Sequence, residues 1–244
     1  MRPLIAACRF LTRLPVPGPA TQVEDLPGAV GWFPLVGALV GLAIGGAYVG
    51  LLQVFPWMVA GVLAIAFGLL LTGGFHEDGA SDAADGLGGG WTRERVLEIM
   101  KDSRVGAYGS MALWVVLTLR LACLVSLGAT AWWALALAMA WGRWSAALLV
   151  KLPAIGAGLA KEVSAAVPVS TLPLATGLAV AATALVWWRF QILAPWAGAA
   201  AILMTLGWMF YLARRLGGQS GDLLGAGNQL AEAAALLVLV AVMR

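Results

Sequence analysis

"PWMVAGVLAIAFGLLLTGGFHEDGASDAADGLGGG", residues 56–90, changes character half-way along. Up to Leu71 it carries no charge, and from Gly73 onward the chain's single histidine, a glutamate and three aspartates stand among glycines. The first half has the apolarity and nearly the length of a helix that crosses a bilayer, about 20 residues. The second half cannot share that environment, because even lenient insertion scales put a carboxylate at the bilayer centre at a cost of roughly 2.5–3.5 kcal/mol. The boundary between lipid and water therefore falls near Gly73, and the acidic half faces water or a polar cavity.

The rest of the chain repeats the first half. Its 244 residues are 61% hydrophobic and 11% charged, with a mean hydropathy of +0.90, whereas about a quarter of the residues in a soluble domain are charged. Runs long enough to span recur at 31–54, 56–74, 106–127, 131–150, 168–188, 192–212 and 223–243, seven in all. In lipid a backbone that satisfies its own hydrogen bonds within each such run is a helix. The expectation is an all-α, polytopic integral membrane bundle of about seven transmembrane helices, forming one membrane domain over 1–244. Cys8 and Cys123 are too few for a disulfide framework and are expected as free thiols. At the N-terminus Leu4, Ile5, Cys8, Leu11 and Leu14 fall at helical spacing with Arg2, Arg9 and Arg13 among them. That pattern is an interfacial amphipathic helix, and it lacks the apolar core and cleavage site of a signal peptide.

Seven spans put the two termini on opposite sides, and the basic residues choose the orientation. Arg2, Arg9, Arg13, Arg93, Arg95, Lys101, Arg104, Lys151, Lys161, Arg214 and Arg215 fall on the N-terminal side, against Arg189 and Arg244 on the other. Lys and Arg accumulate in cytoplasmic loops, so the N-terminus is expected in the cytoplasm. The formal charge of +3 is thus a matter of topology, and no nucleic-acid partner is expected. Three cytoplasmic segments follow: an amphipathic segment over 1–28, an acidic loop over 75–105 suited to catalysis, and a second polar loop over 213–222.

Seven of the twelve acidic residues lie in the 75–105 loop: Glu77, Asp78, Asp82, Asp85, Glu94, Glu98 and Asp102. Asp78, Asp82 and Asp85 stand at i, i+4 and i+7, which places three carboxylates on one helical face. Stacked like charges disfavour a helix unless a cation neutralises them. A magnesium ion is suited to this, because it takes oxygen ligands, usually one or two carboxylates completed by water and substrate phosphate. His76, with an unperturbed pKa near 6.5, has the chemistry of a general base. Further along, "RERVLEIMKDSRVGAYG" over 93–109 reads as a short amphipathic helix ending at glycine, and Lys101, Ser103 and Arg104 offer donors for a diphosphate. The other polar patch, "RRLGGQSGDLLGAGNQLAEA" over 214–233, places Asp222 among glycines and carries Asn228 and Glu232 on one face into the last span.

HEDGASDAADG, EIMKDSRVGAYG and SGDLLGAGNQLAE, together with FLTRLPVP at 10–17 and WFPLVGALVG at 32–41, resemble the cobalamin synthase family, adenosylcobinamide-GDP ribazoletransferase, over nearly the whole chain and in order. The resemblance implies a magnesium-dependent transferase of the bacterial cytoplasmic (inner) membrane, acting in cobalamin biosynthesis at the last assembly stage of the nucleotide loop. A ribose hydroxyl of alpha-ribazole, or of its 5'-phosphate, displaces GMP from adenosylcobinamide-GDP and gives adenosylcobalamin or its 5'-phosphate. On this reading Asp78, Asp82 and Asp85 hold the metal, with Glu77 a fourth oxygen donor or its neighbour. Lys101 and Arg104 clamp phosphates, Lys101 counting among the catalytic residues too, with Ser103 beside them. His76 or Asp102 is the base, and Asp222, Asn228 and Glu232 complete the substrate pocket. A homo-oligomer, or association with other nucleotide-loop enzymes, is compatible with this role.

Two other readings compete. CDP-alcohol phosphotransferases also use carboxylates and magnesium to displace a nucleotide monophosphate, but their first Asp-Gly pair is followed by a different spacing from the Ala-Ser-Asp-Ala-Ala-Asp-Gly here. A corrinoid transporter would use Arg120, Arg143 and Glu232 as intramembrane charges, yet no paired repeat is visible.

Overall fold

The computed structural model describes residues 2–155, 159–190 and 194–242. Arg244, counted above for topology, and the edge residues 192 and 243 of two expected spans lie outside them. Among the described residues the fold is helical without a strand, the single extended pairing being a bridge between Ala154 and Gln219. The helices are α1 (Arg2–Leu11), α2 (Leu26–Ala29), α3 (Phe33–Leu51), α4 (Trp57–Thr72), α5 (Phe75–Gly89), α6 (Arg93–Ile99), α7 (Ala107–Leu127), α8 (Ala131–Leu149), α9 (Leu159–Ala165), α10 (Thr171–Phe190), α11 (Ala194–Arg215) and α12 (Gly221–Val242).

Among the described residues five stretches are long and apolar enough to cross a membrane, and α4 with α5 makes a sixth as a bent pair. One of the five, Ala107–Leu149, has 43 residues; as a single straight helix it would be about 65 Å long, twice a bilayer core of about 30 Å. It is broken at Gly128, whose φ is +54°. Arg120 from its first half and Arg143 from its second both reach Glu232, so the halves α7 and α8 fold back and both pack against α12. The result is a multi-pass membrane protein with about seven spans, as the composition predicts.

The bundle is assembled by close contact between α3 and α8. Gly37, Gly41 and Gly45 lie one turn apart on α3, and the missing Cβ of each would collide with the α8 backbone near Met139, Leu135 and Trp132. Small residues in such a stripe let helix backbones approach where lipid supplies no hydrophobic drive. Large side chains left outside, among them Trp57, Leu70, Trp114, Leu203 and Phe210, are exposed and face outward from the helices.

Three expectations are corrected. The 75–105 segment is not a loop but two helices, because Gly73 and Gly74 both take left-handed backbone angles, φ +73° and +66°, and turn the chain by 91° from α4 directly into α5. Glycine alone adopts such angles without strain. The helix expected over 93–109 ends at Ile99, because Asp102 accepts a hydrogen bond from the Arg104 backbone N–H and closes a turn there. The 213–222 segment is shorter than expected: α11 runs to Arg215 and α12 starts at Gly221.

Candidate active site at the crossing of α5 and α12

The two polar motifs meet. Helix α5 crosses α12 where both carry glycine: a Cβ on Gly79 would stand 3.1 Å from the Asp222 backbone, and Gly225 faces Gly79 in return. This approach sets the α5 carboxylates against the start of α12. Asp82 is half-buried and has Asp78, Asp222 and Asp85 as its like-charged neighbours; Asp78 is exposed and also acts on Asp222.

The remaining predicted acids have other partners. Asp85 is buried, and its two oxygens accept the backbone N–H groups of Gly106 and Gly109 at 2.7 and 2.9 Å. It therefore joins α5 to the first turn of α7, where the helix dipole favours a negative charge. A side chain on Gly106 or Gly109 would strike that carboxylate. Glu77 pairs with Arg120 at 2.8 Å, Arg120 pairs with Glu232 at 2.9 Å, and Glu232 pairs with Arg143 at 2.7 Å. Gln229 bridges Arg120 and Glu77 at 2.8 and 3.3 Å. These four charges are almost wholly buried and sum to zero, which is how charge survives at membrane depth. Breaking such a pair from one side costs about 3–5 kcal/mol. Asn228 is buried against Gly142 of α8.

The 101–104 turn is exposed. Arg104 holds Asp102 through Nε at 3.0 Å and Nη2 at 2.6 Å. Those hydrogen bonds hold the Asp102 carboxyl down to about 2, below the usual carboxylate range. His76 differs: its side chain is buried and its Nδ1 has no hydrogen-bond partner. It borders a cavity of about 320 Å³ whose polar edge is His76, Lys101, Ser220 and Asp222.

Sequence reasoning missed two arginines that position these parts. Arg215 donates to the carbonyls of Gly90 and Trp91, both at 2.8 Å, and so fixes the end of α5. Arg9 donates to the carbonyls of Val16 and Gly18, at 2.7 and 3.0 Å, and folds the segment after α1 back on itself. In the sequence both look only like topology signals, and nothing local marks them as carbonyl clamps.

Among the described residues no three His, Cys, Asp or Glu side chains are drawn together as a ready-made metal cage. Magnesium does not require one, since one or two carboxylates with water and phosphate suffice. Asp82, with Asp78 and Asp222 as neighbours and no ion-pair partner, has the right donor chemistry; Glu77 and Asp85 are occupied by Arg120 and by backbone amides.

Fold and site together define a multi-pass helical membrane protein whose acid-rich site lies where helix ends meet at one end of the bundle. A family model described as cobalamin-5-phosphate synthase matches residues 3–240, and the chain belongs to that family. It is 40% identical over 268 residues to an adenosylcobinamide-GDP ribazoletransferase of a Polaromonas species, covering 96% of this chain and 94% of the relative. It is 38% identical to the protein of that name from Klebsiella pneumoniae, covering 98% and 100%, and 35% identical to that from Brevibacillus brevis, covering 98% of each. No solved structure matches. Membership over the full length favours neither the CDP-alcohol phosphotransferase nor the transporter.

Proposed function

We propose that the protein joins adenosylcobinamide-GDP and alpha-ribazole, or its 5'-phosphate, to give adenosylcobalamin, or its 5'-phosphate, and GMP. The observation that carries this is the agreement of full-length family membership with a carboxylate cluster at the α5–α12 crossing. A ribose hydroxyl oxygen forms a bond to the phosphorus attached to cobinamide, and the bond from that phosphorus to the GMP oxygen breaks. Such displacement asks the protein for positioning and charge neutralisation more than for covalent chemistry.

Asp78, Asp82 and Asp222 would hold magnesium. When bound, the ion supplies positive charge to the diphosphate oxygens as the leaving group departs. His76 accepts the hydroxyl proton; its buried, unpartnered Nδ1 and its place in the lining of the cavity that Asp222 also lines support this choice over Asp102, which is exposed and tied to Arg104. Lys101, at the cavity edge, meets the phosphates, with Ser103 and Arg104 in the same exposed turn. Asn228 and Glu232 act from below, Glu232 by anchoring Arg120 and Arg143. The basic residues support a cytoplasmic N-terminus, and with it a site that opens to the cytoplasm of a bacterial inner membrane.

The test is direct. The protein purified in lipid nanodiscs should release GMP and a cobamide from adenosylcobinamide-GDP and alpha-ribazole; corrinoid flux into sealed liposomes with no covalent change would contradict the proposal.

A further inference from the structure

Resting on the transfer just described, we propose that the 320 Å³ cavity seats the aromatic base of the nucleoside substrate, with its ribose at the His76–Asp222 edge. The walls are apolar and come from separate elements: Phe10 of α1, Phe33 of α3, Phe75 of α5, Val150 at the end of α8 and Val163 of α9. Three of them form an aromatic cluster, Phe10 stacked on Phe33 at 5.7 Å between ring centres and edge-on to Phe75 at 5.2 Å. Phe75 in turn meets the His76 ring edge-on at 5.3 Å. Such a wall receives a flat, apolar ring by stacking and edge contacts.

The reaction involves four ring systems, and size and polarity separate them; the adenine of the adenosyl group, like guanine, carries polar groups around its rim. Pockets of roughly 300–1,000 Å³ take drug-sized ligands, so this cavity is at the small end and a corrin carrying a nucleotide is several times too large. Guanine carries donors and acceptors around its rim, and burying them against hydrocarbon without partners is costly. The benzimidazole of alpha-ribazole is small, flat and largely apolar, and matches the walls. Its ribose hydroxyls need hydrogen-bond partners, and the polar edge holds two buried groups that have none, His76 Nδ1 and Ser220 Oγ. This seat brings the nucleophile to His76 and next to the acid cluster while the corrinoid stays outside the cavity.

Filling the space from two different helices tests the seat. Val163→Trp acts from α9 and Ala146→Leu from α8, both on apolar residues of the lining. Binding of radiolabelled alpha-ribazole to the full chain in nanodiscs, without corrinoid, should weaken at least tenfold in each variant. In turnover the KM for alpha-ribazole should rise by a similar factor while the KM for adenosylcobinamide-GDP stays within twofold. Unchanged nucleoside binding in folded variants, or a loss confined to the corrinoid, overturns the seat; so does native mass spectrometry that finds a phospholipid expelled by both variants with nucleoside affinity untouched. A wild type that binds alpha-ribazole without turning it over would instead contradict the activity and leave the seat standing.

Discussion

Glu77 turns its carboxylate to the Arg120 guanidinium, 2.8 Å away, while the next residue, Asp78, is exposed on the other side of α5. Adjacent acids thus serve different ends, and substitutions should separate them. Asp82→Ala removes a carboxylate that has no Lys or Arg partner among the described residues, so turnover should fall at least about a hundredfold with the thermal melt unchanged; a near wild-type rate would move the metal elsewhere. Arg120→Met should do the opposite first, lowering stability by about 3–5 kcal/mol through the buried charges it leaves, read as a lower unfolding midpoint in detergent. Asp102 keeps its charge at every pH above about 2 and loses it only as the pH falls through that value. Asp102→Asn should therefore leave the pH–rate profile between pH 5 and 9 in place, and a displaced acidic limb would restore Asp102 as the base. Asp78 and Asp82 were readable as a pair from their spacing of four. The diversion of Asp85 to the Gly106 and Gly109 amides was not, because it depends on where α7 begins.

Helix α5 is the element on which the site depends, and no hydrophobic periodicity announces it. Its order comes from neighbours: α12 through Gly79 and Gly225, α7 through Asp85, and α11 through Arg215. The apolar spans were readable because lipid selects composition over a fixed length. The bend at Gly73–Gly74 was not, since two glycines after an apolar run equally describe an exit into a loop. Gly74→Val should cost about 1–2 kcal/mol or more from its left-handed backbone. Gly79→Leu should wedge α5 away from α12 and abolish turnover while the α3–α8 packing, and with it the folded bundle, persists. Turnover retained by Gly79→Leu would mean that the crossing does not build the site.

At the scale of the whole molecule, about seven spans bring the acidic motif and the last motif to one end of the bundle, and the proposal from the basic residues is that this end faces the cytoplasm. In a background with Cys8 and Cys123 changed to serine, a cysteine at exposed Gly89 should be labelled by an impermeant reagent only in inside-out vesicles; labelling of intact spheroplasts would reverse the orientation. The buried charge network, the Asp85 link and the glycine crossing then have one common result, which is to hold Asp222 in the lining of a small apolar cavity with Asp78 and Asp82 as its carboxylate neighbours. The central claim is that these carboxylates make the transfer metal-dependent. It is tested most directly by measuring GMP release from adenosylcobinamide-GDP and alpha-ribazole by the nanodisc protein across a magnesium titration. Release that saturates with magnesium, and stops in excess EDTA, is the predicted result. Full release in EDTA would contradict it.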